Sequence, residues 1–222
     1  MTGAGEAGTG PGARSGRGTL VVLEGGEASG KSTQARLLAE RLDAVLTREP
    51  GGTALGERVR VLLLDPAVGP FDARTEALLV AAARAEHVVE VLEPALEAGR
   101  TVVSDRFTAS SLAYQGYGRG LDVSHVECLN RWATAGLAPD LVILLDVPGD
   151  EARSRLRRSG RTLDRLESEE ADFHERVAAG FRALARVETS RWVIVDGVGT
   201  VEEVAARVWA AYQTCEKGGE RP

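Results

Sequence analysis

The pattern Gly25-x-x-x-x-Gly30-Lys31-Ser32 places two glycines, an ammonium and a hydroxyl at the spacing of a polyphosphate cradle. The chemistry needs those residue types. Glycine lets the backbone turn so that several N–H groups converge on phosphate oxygens. Lys31 would reach the β- and γ-phosphates of a bound nucleotide, and the Ser32 hydroxyl would support Mg²⁺. The run "TLVVLEG" precedes the loop, and "KSTQARLLAERL" follows it with apolar residues at helical spacing. The cradle therefore lies between a strand and a helix, whose positive end adds to the anion site. Gly25, Gly26, Glu27, Ala28, Ser29, Gly30, Lys31, Ser32 and Thr33 form the candidate ATP-binding segment, a P-loop. Glu27 is its anomaly, a carboxylate inside a loop suited to an anion. The pattern alone says nucleotide binding, since switches, motors and kinases share it.

A second chemical stretch is "SDRFTASSLAYQGYGRGL". Asp105 ends an apolar run that reads as a strand beside the P-loop strand, where a metal-supporting carboxylate is expected. Arg106 follows directly, a rigid fork of donors suited to a phosphate monoester. Ser111, Tyr114 and Gln115 have the offsets of one helical face. Gln115 carries both a donor and an acceptor, as recognition of a nucleobase edge requires. A third stretch, "RLRRSGRTLDRLE", gathers Arg155, Arg157, Arg158, Arg161 and Arg165 around glycine and serine. That composition suits a mobile basic flap that neutralises charge on a moving phosphoryl group.

These residues need a scaffold that brings them to one edge. The strands read as "TLVVLEG", "AVLTRE", "RTVVSD", "DLVILLDVP" and "RWVIVDG". Helical patterns alternate with them, from Leu55 to Leu64, in a long segment capped by Asp72, and at "VSHVECLNRWATAG", "GDEARSRLRR" and "EADFHERVAAGFRALARVE". Pro94 predicts a kink or break in the long segment, and Gly99 its end. In the last helix, Val201, Val204, Val208 and Tyr212 share the expected buried face. Alternating strands and helices imply an α/β fold, a parallel sheet with helices on both faces.

Composition narrows the partners. The 222 residues, 43% of them apolar, suit one compact domain. A net charge of -6 argues against a nucleic-acid surface, so positive charge must be concentrated locally. Cys128 and Cys215 lie far apart, and His87, His125 and His174 are scattered, so neither a disulfide framework nor a histidine-built metal site is expected. No apolar run is long enough to span a bilayer, and a cytoplasmic location is the expectation. Residues 1–18 are Gly-rich and read as a disordered tail, 19–214 as the single domain with a lid at about 153–167, and 215–222 as a frayed end.

The chain resembles the thymidylate kinases, nucleoside monophosphate kinases that make dTDP from dTMP. "TREPGGT", "GERVR", "RAEH", "SDRF..SSLAYQGYGRG" and "DRLE" stand in that family's order, from Thr19 to Gln213. The resemblance implies a P-loop kinase fold with five strands in the order 2-3-1-4-5, ATP and dTMP as substrates, Mg²⁺ and a homodimer. It turns Glu27 toward the acceptor nucleotide and its 3′-hydroxyl. It assigns Arg60 and Arg106 to the acceptor phosphate, and Glu49 to the acceptor site near that phosphate and the metal. Arg84 falls to the base carbonyl, Gln115 to the base edge and Tyr114 to the 2′-carbon. The P-loop lacks an arginine, which implies the branch whose lid supplies the catalytic one, Arg161 or Arg158. Two positions depart from the family. Val80 stands where a phenylalanine usually stacks on thymine, an interaction worth roughly 1–3 kcal/mol, and Phe107 replaces a tyrosine. Another or modified deoxypyrimidine monophosphate is thus the first alternative, and an ATP-binding regulatory protein without transfer activity the second.

Overall fold

A computed structural model describes residues 16–160 and 162–217. The strands are β1 (Leu20–Glu24), β2 (Val45–Arg48), β3 (Val102–Asp105), β4 (Leu141–Asp146) and β5 (Trp192–Asp196). They form one parallel sheet in the order β2-β3-β1-β4-β5, as expected. β1 is buried along its whole length, as is all of β4 but its last residue, which explains their continuous apolar runs.

Side-chain alternation divides the core in two. Leu20 and Val22 of β1 point into one layer with Val142, Leu144, Phe107, Phe173 and Phe181. Val21 and Leu23 point into the other, against Ala35 and Leu38 of α1 (Lys31–Leu42) and Val204, Val208 and Tyr212 of α9 (Val201–Lys217). Val201 was expected on that face but is 47% exposed, as the first residue of the helix.

The long segment keeps its helical path through Pro94. α3 (Ala73–His87) runs into a widened π turn at Val88–Leu92 and then α4 (Glu93–Glu97). Pro94 lies in the first turn of α4, where its missing N–H is tolerated, and the π turn absorbs the mismatch without a break. The remaining helices are α2 (Ala54–Leu64), α5 (Thr108–Ser111), α6 (Val123–Ala133), α7 (Gly149–Arg158) and α8 (Ala171–Val187). A π-helical segment, Leu112–Gly118, continues α5.

The termini meet the expected boundaries only in part. Residues 1–15, 218–222 and Arg161 lie outside the described residues. Gly18, assigned to the tail, donates its N–H to Leu96 O at 2.7 Å, and α9 reaches Lys217 rather than ending at 214. Strand registers pair Arg48 with Asp105, Asp105 with Leu23 and Glu24 with Leu144. The carboxyl ends of β1, β2 and β3 therefore deliver Glu24, Arg48 and Asp105 to one edge.

Candidate active site

The P-loop crosses that edge between β1 and α1. Gly25 has a φ of 148°, and a side chain there would place its Cβ 2.6 Å from Leu145 O, so only glycine fits. Gly30, at φ 93°, turns the chain into α1. Lys31 Nζ folds back on the loop, donating to Gly26 O at 2.6 Å and Ser29 Oγ at 3.3 Å. Burial, with Arg106 nearby, pushes the Lys31 pKa down to about 8, against the pull of Glu27, Asp105 and Glu24. An arriving phosphate would raise it again.

Ser32 Oγ donates to Asp105 Oδ2, and Asp105 Oδ1 is buried with no hydrogen-bond partner among the described residues. A buried carboxylate oxygen without a donor, beside a hydroxyl, fits a hard cation that keeps most of its waters.

Glu27 is engaged by side chains from outside the P-loop. It accepts from Arg106 Nη2 at 2.7 Å and from the Tyr114 hydroxyl. Burial raises its pKa, but Arg106, Lys31 and the Tyr114 O–H outweigh it and hold the group at about 2. The carboxylate anomaly in the sequence is thus resolved by the arginine brought to it from β3.

Arg106 has a φ of 76°, a left-handed backbone that costs a non-glycine residue about 1–3 kcal/mol. Its N–H bonds to Leu23 O at 3.0 Å, and Glu24 fastens the next turn. Glu24 is fully buried and accepts from Phe107 N at 3.0 Å, Ser110 N at 3.1 Å and Ser110 Oγ at 2.7 Å. Burial pushes its pKa up to about 7, although Arg106, Ser110 and Phe107 N–H all favour the charged form. Phe107 packs in the core, so a tyrosine hydroxyl there would be buried rather than offered to a substrate.

Beyond Arg106 lies a buried network of charge. Arg84 Nε donates to Glu49 Oε2 at 2.7 Å, Nη1 to Ser111 Oγ at 2.8 Å and to Asn130 Oδ1, and Nη2 to Phe107 O at 3.0 Å. Glu49 also binds His87 Nδ1 at 2.9 Å, and His87 Nε2 meets Thr47 Oγ1 at 2.6 Å. Neither Arg84 nor Glu49 lies on a solvated face. Arg60 Nη1 donates to Pro50 O at 3.0 Å, which aims α2 at the same place.

The two halves form one cleft. A cavity of about 710 Å³ is lined by Lys31, Ser32, Thr33, Asp105 and Arg106. A smaller one of about 90 Å³ is lined by Val80, Arg84, Ser111, Tyr114 and Gln115. Glu27, Glu49, Arg60, Arg106 and Asp164 line both. Ser111 at the end of α5, with Tyr114 and Gln115 in the π-helical segment, lines the smaller cavity.

The arginine-rich stretch separates into groups. α7 buries no residue. Arg155 Nη2 donates to Gly197 O at 2.9 Å and Nη1 to Ser29 O at 3.5 Å, tying α7 to the P-loop. Arg158 is mostly exposed and pairs with Glu151 at 3.2 Å on the same helix. Arg165, assigned to the flap, is buried. Its Nε donates to Leu63 O at 2.7 Å and its Nη2 to Glu76 Oε2 at 2.6 Å, because the chain returns to the body before it.

Glu24, Glu76, Arg119, His87 and Asn130 were absent from the sequence-derived site. Glu76 had a readable signal, since it precedes Val80 and Arg84 at successive four-residue steps on α3. Glu24 had one as well, a charged residue closing an otherwise apolar strand.

Comparison with known proteins agrees with this geometry. A family model described as thymidylate kinase matches residues 23–208. A thymidylate kinase from Pelotomaculum thermopropionicum is 50% identical over 185 residues, 81% of this chain and 86% of that protein. One from Thermomicrobium roseum is 48% identical over 208 residues, 91% of this chain and 98% of that protein. Among solved structures, thymidylate kinase from Ehrlichia chaffeensis superposes with a TM-score of 0.74 at 32% identity, covering 89% of this chain and all of that one.

Proposed function

The chain belongs to the thymidylate kinase family and is an ATP-dependent phosphotransferase that converts dTMP to dTDP; from that premise we propose how its own residues divide the work. Lys31 and the P-loop amides hold the ATP phosphates. Arg106 and Arg60 hold the dTMP phosphate, and Glu27 receives the sugar 3′-hydroxyl. The base enters between Val80, Arg84 and Gln115, with Tyr114 beneath the sugar. The acceptor phosphate oxygen attacks the γ-phosphorus in line, and the spread negative charge meets Lys31 and a lid arginine, Arg161 or Arg158. Ser32 and Asp105 would hold Mg²⁺, which when bound would supply neutralisation of phosphate charge.

The observation that carries this reading is the shared wall of the two cavities. Arg106 and Glu27 line both the cavity beside the P-loop and the one beside Val80 and Gln115, which supports two nucleotides meeting tail to tail. The test is turnover with Mg·ATP on a panel of dTMP, dUMP, dCMP and TMP. dTMP should be the preferred acceptor, and a bisubstrate mimic joining adenosine to thymidine through phosphates should compete with both substrates. Preference for another monophosphate would overturn the base assignment. ATP binding without acceptor-dependent ADP release would overturn the transfer reaction itself. Val80 favours a second reading, acceptance of a larger modified pyrimidine, because it leaves the stacking position to a smaller side chain.

A homodimer packed through α2 and α3, in the cytoplasm, completes the proposal. Exposed Leu78 and Val89 lie along one side of the long helical segment, with Leu55 and Val61 on α2. Sedimentation equilibrium would read the assembly, and a monomer at micromolar concentration would overturn it.

A further inference from the structure

α3 carries Glu76, Val80 and Arg84 on one face, and all three line the base pocket. The outer two form its polar ends. Glu76 is 1% exposed. Burial raises its pKa, but hydrogen bonds from Arg119, Gln115 and Arg165 outweigh that and hold it below the usual carboxylate range. An ionised carboxylate accepts and cannot donate. Gln115 Nε2 stands 2.9 Å from Glu76 Oε1, so the amide must turn its NH₂ to Glu76. Arg119 Nε and Nη2 at 3.2 and 3.0 Å, and Arg165 Nη2 at 2.6 Å, hold the carboxylate in that orientation.

With one Nε2–H held by Glu76, the Gln115 amide is fixed with its Oε1 and its second N–H left for a ligand, and no donor among the described residues reaches that oxygen. Arg84 is the complement. Four of its five N–H groups are engaged by Glu49, Ser111, Asn130 and Phe107 O, which leaves one donor at Nη2. One acceptor and one donor match the N3–H and 4-oxo group of thymine or uracil. Both are mispaired against cytosine, which presents a lone pair at N3 and an amino group at C4.

We propose that Glu76 is a positioning residue for base selectivity: by fixing the Gln115 amide with its oxygen free, it commits the pocket to 4-oxo pyrimidines and against 4-amino ones. The inference rests on the reading above that this pocket takes the base. A neutral amide at position 76 could accept as well as donate, so Gln115 could flip and offer its NH₂ to cytosine N3.

The experiment measures kcat/KM for dTMP and dCMP in the wild type, Glu76→Gln, Gln115→Met and the double variant, with thermal unfolding as the folding control. Glu76→Gln should narrow the dTMP:dCMP ratio by about tenfold to a hundredfold, the scale of one buried mispaired hydrogen bond. Gln115→Met should narrow it comparably, and in the Met background Glu76→Gln should change it no further. An unchanged ratio in folded Glu76→Gln, or equal narrowing in both backgrounds, overturns the proposal. If Glu76→Gln does not fold, Gln115→Met still decides, because an unchanged ratio there means that Glu76 has no amide to act through. A wild type that does not phosphorylate dTMP would instead sink the base assignment itself.

Discussion

The two halves of this cleft, the donor half proposed for ATP and the acceptor half proposed for dTMP, follow opposite construction rules. The donor half is mostly backbone, a loop with Gly25 and Gly30 in left-handed geometry, one lysine and one hydroxyl. Its ligand supplies the charge it lacks. The acceptor half is side chains, with Glu27, Glu49 and Glu76 neutralised by Arg106, Arg84, Arg119 and Arg165 before any ligand arrives. Anion binding by amides needs only a conformation, which a few glycines encode locally. Reading a base edge and a monoester needs fixed directional groups. Buried charges can supply these only if each is paired, because an unpaired one costs several kcal/mol. The acceptor half thus joins recognition to stability, whereas the donor half separates them.

Glu49→Ala should break that joint most severely. It strands Arg84 and His87 in the interior, so urea unfolding should report a loss of about 3–5 kcal/mol, with a raised KM for dTMP alongside. Full stability with impaired activity would mean that the two halves do not differ in this way. Lys31→Ala is the opposite case. With the role proposed for Lys31 at the transferring phosphoryl group, its removal should lower kcat by roughly 10²–10³-fold, while the unfolding midpoint stays close to that of the wild type. Near-normal turnover would remove Lys31 from the mechanism.

Glu24 sharpens the comparison through pH. Its folded pKa of about 7 lies above the ordinary 4.5, so the folded state binds more protons between those values. Stability from this group is then present at low pH and lost as pH rises through 7. Glu27 works in the other direction, since its pKa of about 2 gives stability above pH 4.5 that is lost as pH falls. Glu24→Gln should therefore gain on the wild type by about 2 kcal/mol between pH 5 and pH 8, as urea titrations at the two pH values would measure. A parallel pH dependence in the two proteins would place the Glu24 pKa near its ordinary value. Val80→Phe should have the smallest effect. Restoring an aromatic wall to the base pocket is worth roughly 1–3 kcal/mol, read as a lower KM for dTMP with unchanged KM for ATP. No change would put the base away from α3.

Legibility followed the same division. The P-loop could be read because its residues are adjacent and its function lies in local backbone geometry. The strand order and most helix positions could also be read, the order through family resemblance and the helices through apolar period. Arg84 and Gln115 were visible as candidates, but what they offer was not. Only the fold brings Glu49 from β2's end, Asn130 from α6 and Phe107 O from β3's end around one guanidinium. The basic flap likewise looked uniform along the chain, yet Arg155 ties to the P-loop and Arg165 to Glu76.

The sequence by itself therefore determined the nucleotide cradle, the parallel sheet behind it and the class of reaction. The first two follow from short-range spacing and from strand and helix periodicity, and the class of reaction from the family's motifs standing in order. The tertiary structure alone decided which hydrogen-bonding valence each polar group has left for a substrate. That valence is what remains after partners 23 to 89 positions away in the chain have been satisfied, and no local pattern records it.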